Sequence, residues 1–214
     1  MKFKKANISP RFSEIGQTSP EDLGVYQKLS TKKRHCFVLE KSVDCLEILL
    51  KKELINSQNC LKIISYSGGY SSISFIKVVA EREPIEELIC STLRVGEKQL
   101  GVLDDLEFQG KIKNAKFVIG GIMKSDSGGK YDYYSAFQRV CQKNGWEYCI
   151  SNNHSKIILM RTEKHHYVLE TSSNLNENPK IEQFSFEDSE ELFCFYRSFF
   201  KKVMEVSKIE SEGL

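Results

Sequence analysis

Asn153-His154-Ser155-Lys156-Ile157-Ile158-Leu159-Met160, then Thr171-Ser172-Ser173-Asn174-Leu175-Asn176 and Ile181-Glu182-Gln183-Phe184, form the stretch that decides the fold. Polar groups lead the first segment and an apolar run follows, the pattern of a strand that leaves a functional edge and enters a core. On a strand, His154 and Lys156 stand two apart and face the same side. An imidazole beside an ammonium suits phosphoryl chemistry. The ammonium neutralises phosphate oxygens while a neutral imidazole attacks phosphorus or protonates the leaving oxygen. Ser172 and Asn174, also two apart, add neutral donors to the same phosphate if a neighbouring strand carries them alongside. Glu182 is a candidate to accept from the second imidazole nitrogen and hold the reactive tautomer.

Outward from this stretch, strand and helix patterns alternate. Toward the N-terminus, Trp146–Ile150 reads as a strand, and 131–144 as a helix with Tyr134, Phe137, Val140 and Cys141 on one face. Ala115–Ile122 is apolar apart from Lys116, as a parallel strand covered on both faces should be. Residues 97–108 read as a helix and Leu88–Leu93 as a strand. Leu61–Tyr66 is strand-like, and Ser67-Gly68-Gly69 turns the chain into a helix carrying Ile73, Ile76, Val79 and Ala80. Residues 42–55 repeat apolar side chains at helical spacing behind a short strand at Cys36–Leu39. Toward the C-terminus, Ser155–Arg161 and His165–Thr171 form a hairpin, Ile181–Phe186 adds a strand, and 188–206 is a helix whose Phe193, Tyr196 and Phe200 face the core. The expectation is an α/β fold, a mixed β-sheet flanked by helices, over 36–214, with 1–35 as an N-terminal extension.

Composition narrows the function classes. Among 214 residues, 31 Lys plus Arg against 29 Asp plus Glu leave a formal charge of +2, which excludes a histone-like basic coat and an acidic tail domain. With 40% hydrophobic and 11% aromatic residues the chain can support a core without staples. Seven cysteines form no CxxC pair, so neither a zinc site nor a disulfide framework is expected, and buried free thiols are the plain reading. No apolar run reaches membrane-spanning length and Met-Lys-Phe-Lys-Lys leads into no hydrophobic segment, so a soluble cytoplasmic protein without a membrane partner is expected. The glycine stretches Ser65–Ser72 and Ser125–Lys130 match neither a P-loop nor a GxGxxG motif. They read as strand-to-helix turns, although Ser67 opens a helix after a strand, where backbone N–H groups favour an anion.

The His154-x-Lys156 pair and Thr171-Ser172-Ser173-Asn174 resemble the phospholipase D superfamily, whose signature is HxK, four residues and an Asp, then six residues and GSxN. Thr171 stands in place of the Gly, and Leu175 and Glu182 sit where the family places a hydrophobic and an acidic residue. The Ser-Ser-Asn-Leu and Ile-Glu-Gln-Phe stretches are similar to single-motif members carried on phages and mobile elements. Two departures stand out: the signature Asp falls on Arg161, and the interval from Lys156 to Thr171 is about three residues longer.

The resemblance implies a phospholipase D-like sandwich and a metal-independent phosphodiesterase needing no cofactor. In such enzymes one His forms a phosphohistidine and a second acts as general acid. Only one such motif is present, and His165, His166 and His35 lack a Lys two residues on. A complete site then needs two copies of His154 across a two-fold axis, hence a homodimer. The implied catalytic residues are His154, Lys156, Asn174 and Glu182, with Ser172 and Ser67 joining Lys156 and Asn174 on the phosphate. A DNA-acting nuclease is the expectation. A nucleic-acid-binding or regulatory module using the same pocket without turnover is the alternative, and a lipid-directed enzyme is disfavoured by the lack of an amphipathic membrane face.

Overall fold

The computed structural model describes residues 34–40, 59–65, 71–125, 132–176 and 180–212. The expected helix at 42–55, Ser67 with its glycine turn, and the extension up to residue 33 lie outside these. The described residues form strands β1 (Arg34–Glu40), β2 (Asn59–Ser65), β3 (Glu87–Thr92), β4 (Ala115–Gly120), β5 (Glu147–Ser151), β6 (Ile157–Arg161), β7 (His166–Thr171) and β8 (Glu182–Asp188). The helices are α1 (Ser72–Arg82), α2 (Glu97–Phe108), a single turn α3 (Ile122–Ser125), α4 (Tyr133–Asn144) and α5 (Glu190–Glu212).

The strands make one eight-stranded mixed sheet in the order β1-β2-β8-β7-β6-β3-β4-β5. β3, β4 and β5 are parallel neighbours joined through α2 and α4, and β1 runs parallel to β2. β6, β7 and β8 are inserted antiparallel between the two parallel groups. This order puts the C-terminal ends of β2, β3, β4, β5 and β7 on the same edge as the starts of β6 and β8. In open α/β sheets that edge is where ligands bind.

The pleat sends alternate residues to opposite faces, and each face has its own core. On one, Phe75 and Ile76 of α1, Leu103 of α2 and Phe137 of α4 pack on Ile63, Phe117, Leu169, Phe184 and Phe186. Phe75 sits 5.1 Å from Phe184 and 5.3 Å from Phe186, ring centre to ring centre. On the other, Phe193, Phe200 and Met204 of α5 cover Ile89, Val118, Cys149, Leu159 and Val168. The aromatic spacing of α5 is therefore core packing, whereas Lys201 is exposed and pairs with Glu205 one turn on, at 3.8 Å.

Sequence and structure differ in local ways. β4 stops at Gly120, and Ile122–Ser125 forms a helical turn where the apolar run predicts a longer strand. A Cβ on Gly120 would lie 2.6 Å from Leu93 Cδ1 and 2.8 Å from the Asn153 carbonyl oxygen, so the strand ends under a crossing loop that tolerates only glycine. Cys60, Cys90, Cys141 and Cys149 are buried free thiols as expected, but Cys194 is exposed on α5.

Candidate active site

His154 and Lys156 do not lie on a strand. Residues 153–156 form an irregular turn that delivers the chain into β6 at Ile157. The reason is Asn153, whose side chain holds the backbone away from the sheet ladder. Its Nδ2 donates to Ser91 Oγ at 3.0 Å, to the Val118 carbonyl at 2.9 Å and, more weakly, to the Thr92 carbonyl at 3.3 Å. Its Oδ1 accepts from Ser155 N at 2.9 Å and Ser155 Oγ at 2.7 Å. Ser155 Oγ and Ser91 Oγ stand 2.5 Å apart, closing the network. An amide spends both its donors and its acceptor here, so one side chain ties β3, β4 and the turn together.

The turn still brings His154 and Lys156 together. Lys156 Nζ lies 3.3 Å from His154 Nδ1 and donates to the His154 carbonyl at 2.8 Å. With the lysine charged, Nδ1 is the acceptor and the ring proton is on Nε2. His154 is exposed at the sheet edge, where a ligand can reach it. Burial pushes the Lys156 pKa down from the ordinary lysine value, and the Glu182 carboxylate partly restores it. Lys156, in the turn before β6, therefore lies within electrostatic reach of Glu182 at the start of β8.

Glu182 begins β8, is buried, and accepts from Ser172 Oγ. Ser172 also donates its N–H to the Gln183 carbonyl at 3.1 Å and accepts from Gln183 N at 3.0 Å. Thr171 N donates to the Lys156 carbonyl at 3.0 Å, which places the Thr171–Asn174 loop directly beside the His154 turn. The loop is braced from α1 by Ser72 Oγ on the Ser173 carbonyl at 3.0 Å. From the β3–α2 connection, Thr92 Oγ1 accepts from Leu175 N at 3.2 Å. Asn174 Oδ1 is buried without a hydrogen-bond partner among the described residues, and an amide can turn either its oxygen or its nitrogen to a ligand.

His154, Lys156, Ser172 and Glu182 thus share one end of three adjacent strands. Arg161 does not join them. It ends β6, five residues and about 16 Å of strand from Lys156, where its Nε sits 3.6 Å from Glu87 Oε2. The position of the signature Asp thus belongs to the opposite edge of the sheet from His154 and Lys156. Glu163 is exposed in the β6–β7 hairpin, while Glu170 accepts from Tyr196 Oη on the α5 face. His165 is at the far edge too, with Nδ1 2.8 Å from Asp188 Oδ2 and Nε2 3.8 Å from Glu83 Oε1. Sequence reading missed Asn153, Ser91, Ser72 and Thr92. An Asn entering a strand is an Asx-turn signal, but its partners lie far along the chain and carry no local signature.

Among solved structures, the chain is similar to polyphosphate kinase from Porphyromonas gingivalis, with a TM-score of 0.55 and 12% identity over 75% of this chain. The α/β fold, a mixed sheet flanked by helices, resembles that of this neighbour. Two further similarities have a TM-score of 0.45. One is to phosphatidylserine synthase of Haemophilus influenzae Rd KW20, at 12% identity over 68% of this chain. The other is to TrmBL2, an archaeal chromatin protein with a novel mode of DNA binding, at 10% identity over 77% of this chain. The chain spans 29%, 38% and 59% of those three proteins. No protein-family model matches, and no curated protein matches. No helix among the described residues is long and apolar enough to cross a membrane.

Proposed function

We propose that the chain is a metal-independent phosphodiesterase, a nuclease acting on DNA, whose site is completed by a second copy of the same chain. The observation that carries this reading is the convergence of the His154 imidazole, the Lys156 ammonium and the Ser172–Glu182 pair on one sheet edge. Lys156 and Asn174 hold the phosphate, and Ser172 joins them once its hydroxyl turns from the Glu182 carboxylate. Ser67 lies outside the described residues, and Ser72 at the start of α1 contacts the Ser173 carbonyl.

In the chemistry proposed, Nε2 of one His154 attacks phosphorus, forming an N–P bond as the P–O bond to the leaving group breaks. The leaving oxygen takes its proton from the second chain's His154. Water activated by that second imidazole then breaks the N–P bond and regenerates the enzyme. Attack through Nε2 requires the ring proton at Nδ1, so Lys156 must move from Nδ1 to the phosphate as substrate arrives. Glu182, at the start of β8 two strands away, then stabilises the positive ring through its field at this sheet edge.

A second reading, a module that holds a backbone phosphate without turnover, draws support from the same contact: Nδ1 of His154 faces an ammonium. The test is cleavage of plasmid DNA and of bis(p-nitrophenyl) phosphate in excess EDTA, with trapping of a phosphohistidine on His154 by mass spectrometry. Activity in the wild type and its loss in His154→Ala support the enzyme. Equal inactivity of both with retained DNA binding selects the module, and full activity of His154→Ala removes the site assignment.

A further inference from the structure

α5 packs on β4 to β7, and the outer face of β2 and β8 beside it forms a groove of about 830 Å³. Its walls are Lys62 and Ile64 from β2, Gln183 and Ser185 from β8, Glu170 from β7, and Lys156 with Ile157 where β6 begins. Lys156 belongs to both the groove and the phosphate site. A phosphate held by Lys156 therefore has one of its substituents over the groove.

We propose that this groove binds the nucleoside next to the bound phosphate and selects a base that carries an exocyclic amine. The inference rests on the phosphodiesterase reading only in taking Lys156 as the phosphate anchor. The volume is in the range of small-ligand sites. Ile64, 48% exposed, and the half-buried Ile157 offer apolar surface to the face of a base. Around them stand groups that read a base edge. Gln183 presents both a donor and an acceptor, and Glu170 only acceptors.

Tyr196 Oη donates to Glu170 Oε1, fixing the carboxylate and leaving its other oxygen to accept. Burial and the Glu170 carboxylate hold the Tyr196 hydroxyl above its ordinary pKa, so it remains a donor across the physiological range. Adenine, cytosine and guanine donate through an exocyclic amine, whereas thymine has none and flanks its single N3–H with carbonyl oxygens that a carboxylate repels. Lys62, bonded to Ser185 Oγ at 2.6 Å, keeps a second cation in the groove for a polyanionic ligand. An acyl chain would take water from the Glu170 carboxylate, the Gln183 amide and the Lys62 ammonium and return no hydrogen bond, which disfavours a lipid.

Titration calorimetry on the full chain with dAMP, dCMP, dTMP and inorganic phosphate tests the proposal. dAMP and dCMP should bind about tenfold more tightly than dTMP and inorganic phosphate. Glu170→Gln should bring the dAMP-to-dTMP ratio close to one, and Ile64→Asp should reduce every nucleotide to the affinity of inorganic phosphate. Equal affinities for dAMP, dTMP and phosphate in the wild type overturn the proposal, as does an unchanged ratio in Glu170→Gln. So does tighter binding of dihexanoyl phosphatidic acid than of any nucleotide. If the nucleotide pattern holds while no diester is cleaved, the groove stands and the enzyme reading falls. If diesters are cleaved without any base preference in binding, the enzyme reading stands and the groove falls.

Discussion

Asn153→Ala is the most informative substitution in this chain. The side chain contacts Ser91 Oγ, the Val118 carbonyl and both Ser155 N and Oγ at 2.7–3.0 Å. At about 1 kcal/mol per net hydrogen bond, discounted because Asn153 is half-buried, the expected loss is about 3 kcal/mol. For a chain of this length that lowers Tm by about 6–12 °C. The loss also frees the turn that positions His154 and Lys156, and a misplacement of about 1 Å costs on the order of 100-fold in rate. Asn153→Asp separates packing from charge, because it keeps the shape and replaces the Nδ2 donors with an oxygen facing the Val118 and Thr92 carbonyls. Those carbonyls disfavour the charged form, which raises the folded-state pKa of the introduced carboxyl above its unfolded value. The stability that the protonated form supplies is therefore complete at low pH and lost as pH rises through the folded pKa. Urea unfolding at several pH values measures the stability, and hydrolysis of bis(p-nitrophenyl) phosphate measures the rate. A loss under about 1 kcal/mol in Asn153→Ala with an unchanged rate would refute the assignment of Asn153 as the residue that holds the turn.

Four further outcomes follow from other contacts. Arg161→Asp, which restores the family signature, should cost about 1–2 kcal/mol and give no gain in rate. It replaces the partner of the buried Glu87, which also accepts from Arg197 Nε at 2.8 Å, and it lies at the wrong edge of the sheet; a rise in rate would show that the far edge takes part in chemistry. Burial lowers the Lys156 pKa and Glu182 raises it, so the alkaline fall in phosphate binding should lie below pH 10.5 and move lower still in Glu182→Gln; an unmoved limb contradicts the coupling. Gly120→Ala should destabilise by about 1–3 kcal/mol and reduce the rate, since its Cβ meets Leu93 Cδ1 at 2.6 Å and the Asn153 carbonyl at 2.8 Å; wild-type urea stability would show that the loop yields. Peptide mapping after brief treatment with a thiol reagent should find Cys194 labelled well before Cys60, Cys90, Cys141 and Cys149, the Cys141 thiol being pushed up to about 12 by burial.

Much of the fold was legible because strand and helix periods are local. The apolar run at 115–122, broken only by Lys116, marked a strand with cover on both faces, and β4 has parallel neighbours on each side. The helix at 97–108 and the aromatic face of α5 were written in 3.6-residue spacing. The turn at 153–156 was not legible, because alternation predicts a strand there and the hydrogen bonds that override it come from Ser91, Val118 and Thr92. The same limit applied to Arg161. Counting residues from Lys156 matched it to the signature Asp, while only strand direction shows that it ends on the opposite edge beside Glu87.

By itself, the sequence determined the alternation of elements, the absence of a zinc or disulfide spacing pattern, and the pairing of His154 with Lys156, since all three depend on residue type and short spacing. The tertiary structure alone decided that Ser172 and Glu182 share an edge with that pair, that Arg161 does not, and that Glu170, Gln183 and Ile64 line one groove beside Lys156. Those relations depend on strand order. β8 and β7 lie between β2 and β6 in the sheet, and inserting antiparallel strands between parallel ones is a choice made by packing of the whole sheet, which no local pattern encodes.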